Sequence, residues 1–184
     1  WRNGLNYDRG FQSFFPIQGQ QGSFRGRPQE IGHREAWDVR ANWRKESDTC
    51  VARTMTKAGE WLERHYKEHF FLYVDTWDPH EPWDAPAYYT EIYMPEYNGE
   101  IVHPVYGHWH DMPGYSAESV RKAHATYCGE VTMVDTWVGY LLRLVENMGL
   151  MDDTVIIFTS DHGFYFGEHG GRFGKLQFAK KPDG

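Results

Sequence analysis

The chain has 184 residues, of which 40% are hydrophobic and 17% aromatic, and its formal net charge is -7 at pH 7. That length and apolar content predict one packed domain and argue against a disordered chain. The negative charge gives no support to a nucleic-acid-binding protein, and no apolar run approaches the ~20 residues of a membrane span. We therefore expect neither a nucleic acid nor a membrane as a partner.

The two ends of the chain predict a piece of a longer protein, called the parent protein below. The chain begins at Trp1, and its first residues, "WRNGLNYDRG", lack the charged start and apolar middle of a signal peptide. It closes on "KKPDG" soon after its most polar motif. The compartment and the oligomeric state stay open. Cys50 and Cys128 form neither a disulfide framework nor a C-x-x-C metal motif.

The first half of the chain predicts one helix and one strand. Residues 1–46 show little periodicity and predict a loop-rich lead-in, and residues 47–85 predict a helix, a strand and a turn. Asp48 is the predicted helix N-cap. Apolar residues then recur at steps of four and three, as on one helix face: Val51, Met55, Ala58 and Leu62.

The predicted strand is "FFLYVDTW", residues 70–77, whose short aromatic and apolar run is typical of a buried strand. It ends in "DPHEPWDAP", where three prolines stop either kind of regular structure. Residues 86–115 predict a long surface loop, and loops of that length usually serve a site or are disordered. We interpret this segment as a pocket loop.

Residues 116–175 predict a long helix, a second strand and a polar loop. Ser116 is the predicted N-cap, Glu118 lies in the first turn, and Gly149 is the predicted stop. Asp135, inside the helix, is interpreted as a structural polar contact. The run "TVIIFTS" is the second predicted buried strand. The predicted apolar stripe of the helix consists of Val120, Tyr127, Val131, Val134, Val138, Leu141 and Val145.

The order of helices and strands predicts an α/β domain with a largely parallel sheet. Ligands of such sheets collect beyond the carboxyl ends of the strands. His80 follows the first predicted strand, and Asp161 with His162 follows the second. Both polar groups therefore fall at one edge of the predicted sheet.

Four segments in the right order resemble the sulfatase family of the alkaline phosphatase superfamily. They are "RGFQSFFPIQGQ", "FFLYVDTWDPHEPW", the long helix with its strand "YCGEVTMVDTWVGYLLRLVENMGLMDDTVIIFTSDHG", and "GEHGGRFGK". The resemblance implies an alkaline phosphatase-like α/β/α sandwich with a largely parallel central sheet, incomplete in this chain. It also implies hydrolysis of a small-molecule sulfate or phosphate ester by the parent protein.

The resemblance also implies roles for individual residues. Asp161 and His162 match the late metal-ligand pair of the family, whose second position is more often Asn. Lys175 matches the lysine that contacts the sulfate or phosphate oxygens, and His80 matches the histidine that helps polarise the leaving group. A divalent cation with Lys and His donors would stabilise charge on the displaced group. Calcium is the expected metal, and magnesium or manganese stays open, because carboxylate and water ligands suit all three and an imidazole ligand favours manganese over calcium.

Two family features are missing from the 184 residues. Neither the early pair of aspartates nor the Cys/Ser-x-Pro-x-Arg motif is present, and the surroundings of Cys50 ("CVAR") and Cys128 ("CGEV") do not fit that motif. The resemblance therefore implies that the formylglycine nucleophile lies in an N-terminal segment of the parent protein. Without it, sulfate, phosphodiester and phosphonate monoester substrates cannot be separated.

Several histidines have competing interpretations. In "HPVYGHWHD", the alternative to a zinc site of His103, His108, His110 and Asp111 is a loop that shapes the substrate pocket, and we expect the pocket loop. His169 could line the pocket or only brace its loop.

Two functions from different classes stay open: a fragment of a hydrolase, and a pseudoenzyme that binds anions without catalysis.

Overall fold

The computed structural model describes residues 8–17, 45–102, 104 and 106–175. Within the predicted lead-in, the described residues 8–17 contain neither helix nor strand. No helix in these described parts combines the length and apolar character that a membrane crossing requires.

The helices are α1 (Cys50–His65), α2 (Ala87–Thr90), α3 (Ala117–Asn147) and the single turn α4 (Glu168–Gly171), with short 3₁₀ turns at Glu46–Asp48 and Trp109–Asp111. The strands are β1 (Gly107–His108), β2 (Tyr165–Phe166) and β3 (Arg172–Gly174).

Helix α1 forms where the apolar spacing predicts it, and its four predicted apolar residues are all buried. Its predicted N-cap is wrong by one residue. Asp48 belongs to the preceding 3₁₀ turn, whereas Thr49 has an extended backbone and its hydroxyl accepts the Ala52 N–H at 3.3 Å. A cap must leave the helical conformation while its side chain returns to the first turn, and Thr49 meets both conditions.

Helix α3 confirms both of its predicted ends. The Ser116 hydroxyl accepts the Ser119 N–H at 3.1 Å, and Gly149 follows the last turn with a left-handed φ of 71°. Its predicted apolar stripe is buried in part, because Val131 is 39% exposed. Asp135 is also exposed, so its interpretation as a structural polar contact is wrong. The buried residues of the predicted stripe are Val120, Val134 and Val145.

The two predicted buried strands do not form within the described residues. Residues 70–77 and 154–160 carry no strand assignment, and the side chains of Phe71, Val155 and Ile157 are 77%, 87% and 83% exposed. A strand inside a sheet needs hydrogen-bonding partners on both sides, and no described strand pairs with either run. The largely parallel sheet is therefore absent from this part of the chain.

The sheet that does form in the described residues is small and antiparallel. Its strand order is β1-β3-β2, so the last strand lies between the other two. Gly107 pairs with Phe173 and His108 with Arg172 on one side, while Tyr165 pairs with Gly174 and Phe166 with Phe173 on the other. This sheet joins the predicted pocket loop to the polar loop at the C-terminal end.

Two apolar clusters hold the elements together. The first joins α1, α2 and α3 through the buried residues Val51, Met55, Tyr89, Met133 and Val134. The second joins the sheet to α3 and to the proline-rich turn through Trp83, Val102, Val120, Ala123 and Phe173. Burial of a large apolar side chain contributes roughly 1.5–3 kcal/mol, so these clusters fix the elements around the turn.

The segment 86–115 is more than a surface loop. Thr90, Met94 and Val102 are each less than 10% exposed. Helix α2 crosses α3 at Gly129, where a Cβ atom would stand 2.8 Å from the Thr90 hydroxyl and 2.9 Å from its backbone nitrogen. The missing side chain of Gly129 therefore permits this close approach. Proline and tyrosine content suggested an exposed loop, but tertiary packing buries it.

Two buried carboxylates anchor the turn that carries His80. Asp78 accepts the Val51 N–H at 2.7 Å in the first turn of α1, and Glu130 of α3 accepts the Ala85 N–H at 2.7 Å. Burial raises the pKa of Asp78 to about 6. Burial, together with the charges of Asp78 and Asp84, also raises the pKa of Glu130 well above its ordinary value. The turn is thus attached to α1 at one end and to α3 at the other.

Replacing Glu130 with glutamine is expected to make the unfolding free energy less sensitive to alkaline pH. A carboxyl whose folded pKa is raised stabilises the fold below its unfolded pKa of about 4.3, and that contribution is lost as the pH rises through the folded pKa. Glu130→Gln keeps a neutral acceptor for Ala85. Urea unfolding from pH 4 to pH 9 should show a smaller loss for Glu130→Gln than for wild type.

The matched control for this experiment is Glu146→Gln on the same helix. Glu146 is exposed and pairs with Arg143 at 2.8 Å, so its pH profile should stay parallel to that of wild type. Parallel profiles for Glu130→Gln and wild type would show that Glu130 is ionised in the folded protein at neutral pH.

Candidate functional site

His80 and Lys175 lie in contact although 95 residues separate them. The Lys175 Nζ atom is 3.0 Å from His80 Nε2, and the two side chains are 28% and 22% exposed. The contact joins the proline-rich turn to the residue that follows β3. The sequence predicted both residues for one site, and the structure brings them together.

Glu81 lies directly beneath this pair and was not singled out by the sequence. Its side chain is 8% exposed, its Oε1 atom is 3.3 Å from Lys175 Nζ, and its Oε2 atom is 3.6 Å from His80 Nδ1. The Tyr106 hydroxyl also donates a hydrogen bond to Oε1. The sequence could have indicated Glu81, because it is an acidic residue next to a histidine in a turn bounded by prolines.

The hydrogen bonds fix which nitrogen of His80 carries a proton. His80 Nδ1 lies 2.7 Å from the Glu81 carbonyl oxygen, which can only accept, so Nδ1–H is the donor. Lys175 has only donors, so Nε2 accepts from its ammonium group. The lone pair of His80 Nε2 therefore faces the ammonium group of Lys175.

Opposing effects set the pKa of Glu81. Burial alone would raise it, but the hydrogen bond from Tyr106 and the nearby His80 and Lys175 outweigh burial, and the pKa of Glu81 lies below its ordinary value. Burial, with the hydrogen bond to Glu81, raises the pKa of Tyr106. Glu81 is thus an anion and Tyr106 a neutral donor at physiological pH.

Packing holds the pair in place from both sides. Trp83 is 1% exposed, and its indole N–H donates to the Pro79 carbonyl at 3.1 Å, across the turn that bears His80. Phe173, 2% exposed, fixes β3 in the same apolar cluster. Gly174 has a φ of 118°, and a Cβ there would overlap the Tyr106 ring. The close approach of β3 to Tyr106 therefore requires glycine.

Asp161 and His162 lie together after the second extended run. Asp161 Oδ1 accepts the His162 N–H at 2.8 Å, and Asp161 Oδ2 is 3.5 Å from His162 Nε2. Their side chains are 85% and 48% exposed. No hydrogen bond or ion pair between described residues joins them to His80 or Lys175.

Asp75 is a second carboxylate close to this pair. Burial raises the pKa of Asp75, and the negative charge of Asp161 raises it further. Asp75, near the end of the first extended run, is therefore close enough to Asp161 for their charges to interact, whereas the proximity of His80 to Asp161 and His162 stays a prediction. Within the described ranges, no three histidine, cysteine or acidic side chains are grouped closely enough to hold a metal ion. The sequence analysis did not single out Asp75, although an acidic residue near the end of a predicted strand could have indicated it.

Three further histidines singled out in the sequence lie at the small sheet. His110 stacks on Trp109 with ring centroids 3.7 Å apart, and His108 Nδ1 lies 3.2 Å from the Gly170 carbonyl oxygen. His169 packs against Tyr165 with a centroid distance of 5.1 Å. His103, from the alternative zinc interpretation, lies outside the described residues. The loop containing His108 and His110 contacts the polar loop, as a pocket-shaping segment would.

Three curated proteins with similar sequences are two sulfatases and a member of the alkaline phosphatase superfamily. The chain is 32% identical over 125 residues to the multifunctional alkaline phosphatase superfamily protein PehA of Trinickia caryophylli, covering 54% of this chain and 24% of that protein. It is 30% identical over 125 residues to human iduronate 2-sulfatase, covering 55% and 23%. It is 27% identical over 114 residues to an arylsulfatase of Clostridium perfringens, covering 54% and 23%.

A family model described as Sulfatase matches residues 1–184. The chain belongs to the sulfatase family. Its fold class is therefore the alkaline phosphatase-like α/β fold, represented among the described residues by helices and a small sheet. The aligned stretches span about a quarter of the length of these curated relatives. Sulfatases generally use a divalent metal ion and formylglycine.

Proposed function

We propose that the parent protein hydrolyses sulfate esters and that this chain supplies the groups that bind and polarise the ester. The observation that carries the proposal is the 3.0 Å contact between Lys175 Nζ and His80 Nε2, with the Glu81 carboxylate beneath it. Two nitrogen groups on distant segments converge on one point. Membership of the sulfatase family supports this reading of the geometry.

Lys175 supplies the positive charge for the anion. Its side chain is 28% exposed, and we place the ligand on the side of the ammonium group that does not face Glu81. Glu81 partly neutralises Lys175, but it also holds the long side chain in position. A fixed cation in a partly dehydrated place stabilises a bound anion more strongly than a mobile surface lysine does.

His80 supplies a directed nitrogen for the leaving group. Because Nδ1–H is committed to the Glu81 carbonyl, the ring can exchange a proton only through Nε2. When an ester oxygen takes the place of Nε2 at Lys175, Nε2 is released to take up a proton from solvent, and the protonated ring can then donate that proton toward the leaving oxygen. The Glu81 carboxylate, 3.6 Å from Nδ1, would balance the charge of the protonated ring.

Asp161 and His162 are the residues that would hold a divalent metal ion. The two donors suit such an ion because the Asp161 carboxylate is exposed, and the further ligands that a tight site needs would come from other parts of the parent protein. When bound, the ion would stabilise negative charge on the ester oxygens. Calcium is the metal we propose, with magnesium as an alternative that also binds carboxylate oxygens and manganese as one that also accepts the imidazole nitrogen of His162.

The nucleophile is proposed to be a formylglycine in another segment of the parent protein. Neither cysteine of this chain is a substitute. Cys50 is 4% exposed, and burial with the nearby charge of Asp78 raises the pKa of its thiol. Burial also raises the pKa of Cys128. A protonated thiol is a poor nucleophile, so neither cysteine is poised for attack.

A second candidate is a phosphodiester or phosphonate monoester hydrolase. The similarity to PehA, described as a multifunctional protein of the alkaline phosphatase superfamily, keeps this alternative open. Lys175 and His80 would serve any tetrahedral anion, so the distinction lies in the nucleophile. A pseudoenzyme would keep the same pair without turnover. A Cys/Ser-x-Pro-x-Arg motif in the upstream coding sequence would favour an active hydrolase over the pseudoenzyme, and its absence from an intact reading frame would favour the pseudoenzyme.

Replacing Lys175 with alanine in the parent protein is expected to raise KM and lower kcat/KM for 4-nitrophenyl sulfate. A fixed cation contacts the ester in both the ground state and the transition state, so part of the loss appears in binding. Loss of a charged hydrogen bond of about 1.5–3 kcal/mol corresponds to a decrease in kcat/KM of roughly tenfold to a hundredfold. Steady-state kinetics with added calcium would measure it.

Lys57→Ala is the matched control. Lys57 pairs with Glu60 at 2.7 Å on α1, away from the site, so its removal should leave both constants unchanged. The proposal would be wrong if Lys175→Ala had the kinetics of Lys57→Ala. Absence of sulfate-ester turnover in the wild-type parent, with turnover of phosphate diesters, would favour the second candidate.

A further inference from the structure

Helix α3 buries one acidic residue that the proposed chemistry does not use. Glu130 is 0% exposed, and its Oε2 atom accepts the Ala85 N–H at 2.7 Å. Within the described residues, its Oε1 atom has no hydrogen-bond partner and Glu130 takes part in no ion pair. A buried carboxyl group with an unpaired oxygen destabilises a fold far less when it is neutral than when it is ionised. The surroundings of Glu130 therefore favour its protonated form.

Two further carboxyl groups lie close enough to Glu130 for their charges to interact with it. They belong to Asp78 and Asp84, which are 2% and 4% exposed, and both of their charges are negative. Helices α1 and α2 bring two more titratable side chains to this region, Cys50 and Tyr89. Burial raises the pKa of both, so both are neutral at physiological pH. Three carboxyl groups thus share a dehydrated volume, and their mutual repulsion keeps a proton among them.

Both ends of the turn that carries His80 are attached through this carboxyl cluster. At the beginning of the turn, Asp78 accepts the Val51 N–H of α1 at 2.7 Å. At its end, the Ala85 N–H donates to Glu130 of α3. The two attachments depend on members of one group of interacting acids. A change in the protonation of the cluster therefore acts on both ends of the turn at once.

Loss of the proton from Glu130 has two opposing effects on the turn. An ionised carboxylate accepts the Ala85 N–H more strongly than a neutral carboxyl group does. It also adds a negative charge beside Asp78 and Asp84, in a place that water cannot screen. The cost of burying an unpaired charge next to like charges exceeds the gain from one stronger hydrogen bond. Ionisation should therefore loosen the turn, and His80 would move with it.

We propose that Glu130 is a pH-dependent positioning residue for the site formed by His80 and Lys175. While Glu130 keeps its proton, the turn stays attached and the two site residues lie in contact. Loss of the proton as the pH rises loosens the turn and weakens anion binding. The inference rests on the proposed function, because it concerns the regulation of the same site. Glu130 contacts neither residue of the pair, so its effect should change the pH profile and not lower affinity at every pH.

The test is calorimetric titration of the parent protein with inorganic sulfate at pH 5.5 and at pH 8.5, at constant ionic strength. Glu130→Gln keeps an acceptor for the Ala85 N–H and cannot ionise. It should bind sulfate as wild type does at pH 5.5 and about tenfold more tightly than wild type at pH 8.5. His80 and Lys175 are present in both proteins, so the ratio of the two affinities isolates the effect of the cluster.

A second variant and a control complete the titration. Asp78→Asn keeps an acceptor for the Val51 N–H and also removes a charge from the cluster, so it should show the same gain at pH 8.5. Glu146→Gln removes an exposed carboxylate from the same helix, where Glu146 pairs with Arg143. It should bind sulfate as wild type does at both pH values.

Hydrogen exchange in the wild-type parent protein tests the same device without a substitution. The amide protons of Val51 and Ala85 donate to the carboxyl cluster, so their protection, corrected for the intrinsic exchange rate, should fall together between pH 5.5 and pH 8.5. The Ala52 amide is the control, because it donates to the Thr49 hydroxyl at 3.3 Å. Its protection should stay unchanged over the same range.

Three results would overturn the inference. The first is equal sulfate affinity of wild type, Glu130→Gln and Asp78→Asn at pH 8.5. The second is weaker binding by both variants at both pH values, which would show that these acids only support the fold. The third is constant protection of the Val51 and Ala85 amides. Failure of the proposed function has a different signature, because the wild-type parent would then bind no sulfate at either pH, and this inference would fail with it.

Discussion

Replacing His80 with alanine in the parent protein is expected to lower kcat by roughly a hundredfold to ten-thousandfold on aryl sulfates with weakly acidic phenols. Charge develops on the departing oxygen, and a proton from His80 Nε2 is worth most where that oxygen is most basic. On nitrophenyl sulfate, whose leaving group needs little help, the variant should be nearly as active as wild type. The measurement is kcat for a series of aryl sulfates graded by phenol pKa.

His65 is the matched control residue for this experiment. His65 at the end of α1 is 35% exposed, against 22% for His80, and it also lies near a glutamate, with Nδ1 3.3 Å from Glu68 Oε1. His65→Ala should leave the whole series unchanged. If His80→Ala lost activity uniformly across the phenols, His80 would position the ester without assisting departure of the leaving group.

Replacing Trp83 with alanine is expected to cost about 3–5 kcal/mol of unfolding free energy, the usual range for a buried aromatic residue. Trp83 is 1% exposed and contacts the rings of Phe164, Phe166 and Tyr127 at centroid distances of 4.8, 5.2 and 5.6 Å. The indole also holds the turn that carries His80 through its hydrogen bond to Pro79. Urea unfolding followed by circular dichroism would measure the loss.

An exposed aromatic residue provides the comparison for Trp83. Phe71 is 77% exposed, so Phe71→Ala should change the unfolding free energy by less than about 0.5 kcal/mol. Trp83→Phe keeps most of the packing and should lose less than Trp83→Ala. Similar losses for Phe71→Ala and Trp83→Ala would mean that the second apolar cluster does not support the turn.

Local patterns in the sequence predicted the helices well. The spacing of Val51, Met55, Ala58 and Leu62 determines which face of α1 is buried, and that face is a property of the helix period alone. Ser116 and Gly149 bound α3 for equally local reasons. The family motifs also placed His80 and Lys175 in one site, and the structure brings these two residues into contact.

The features that the sequence did not predict depend on distant partners. Glu81 and Glu130 look like ordinary acids in the sequence, and only the packing around them shows that one supports Lys175 and the other holds Ala85. The strand predictions for residues 70–77 and 154–160 followed composition, which cannot tell whether neighbouring strands are present. The exposed Val155 and Ile157 show that these runs are unpaired in the described part of the chain.

The central claim is that His80 and Lys175 form one anion site, and a titration with inorganic sulfate tests it most directly. The imidazole resonances of His80 would be followed by NMR at constant ionic strength, in wild type and in Lys175→Gln. We expect sulfate to shift the His80 resonances in a saturable way in wild type, with at least tenfold weaker binding in Lys175→Gln. Sulfate affinity that is equal in the two proteins, or saturation without any shift at His80, would contradict the account.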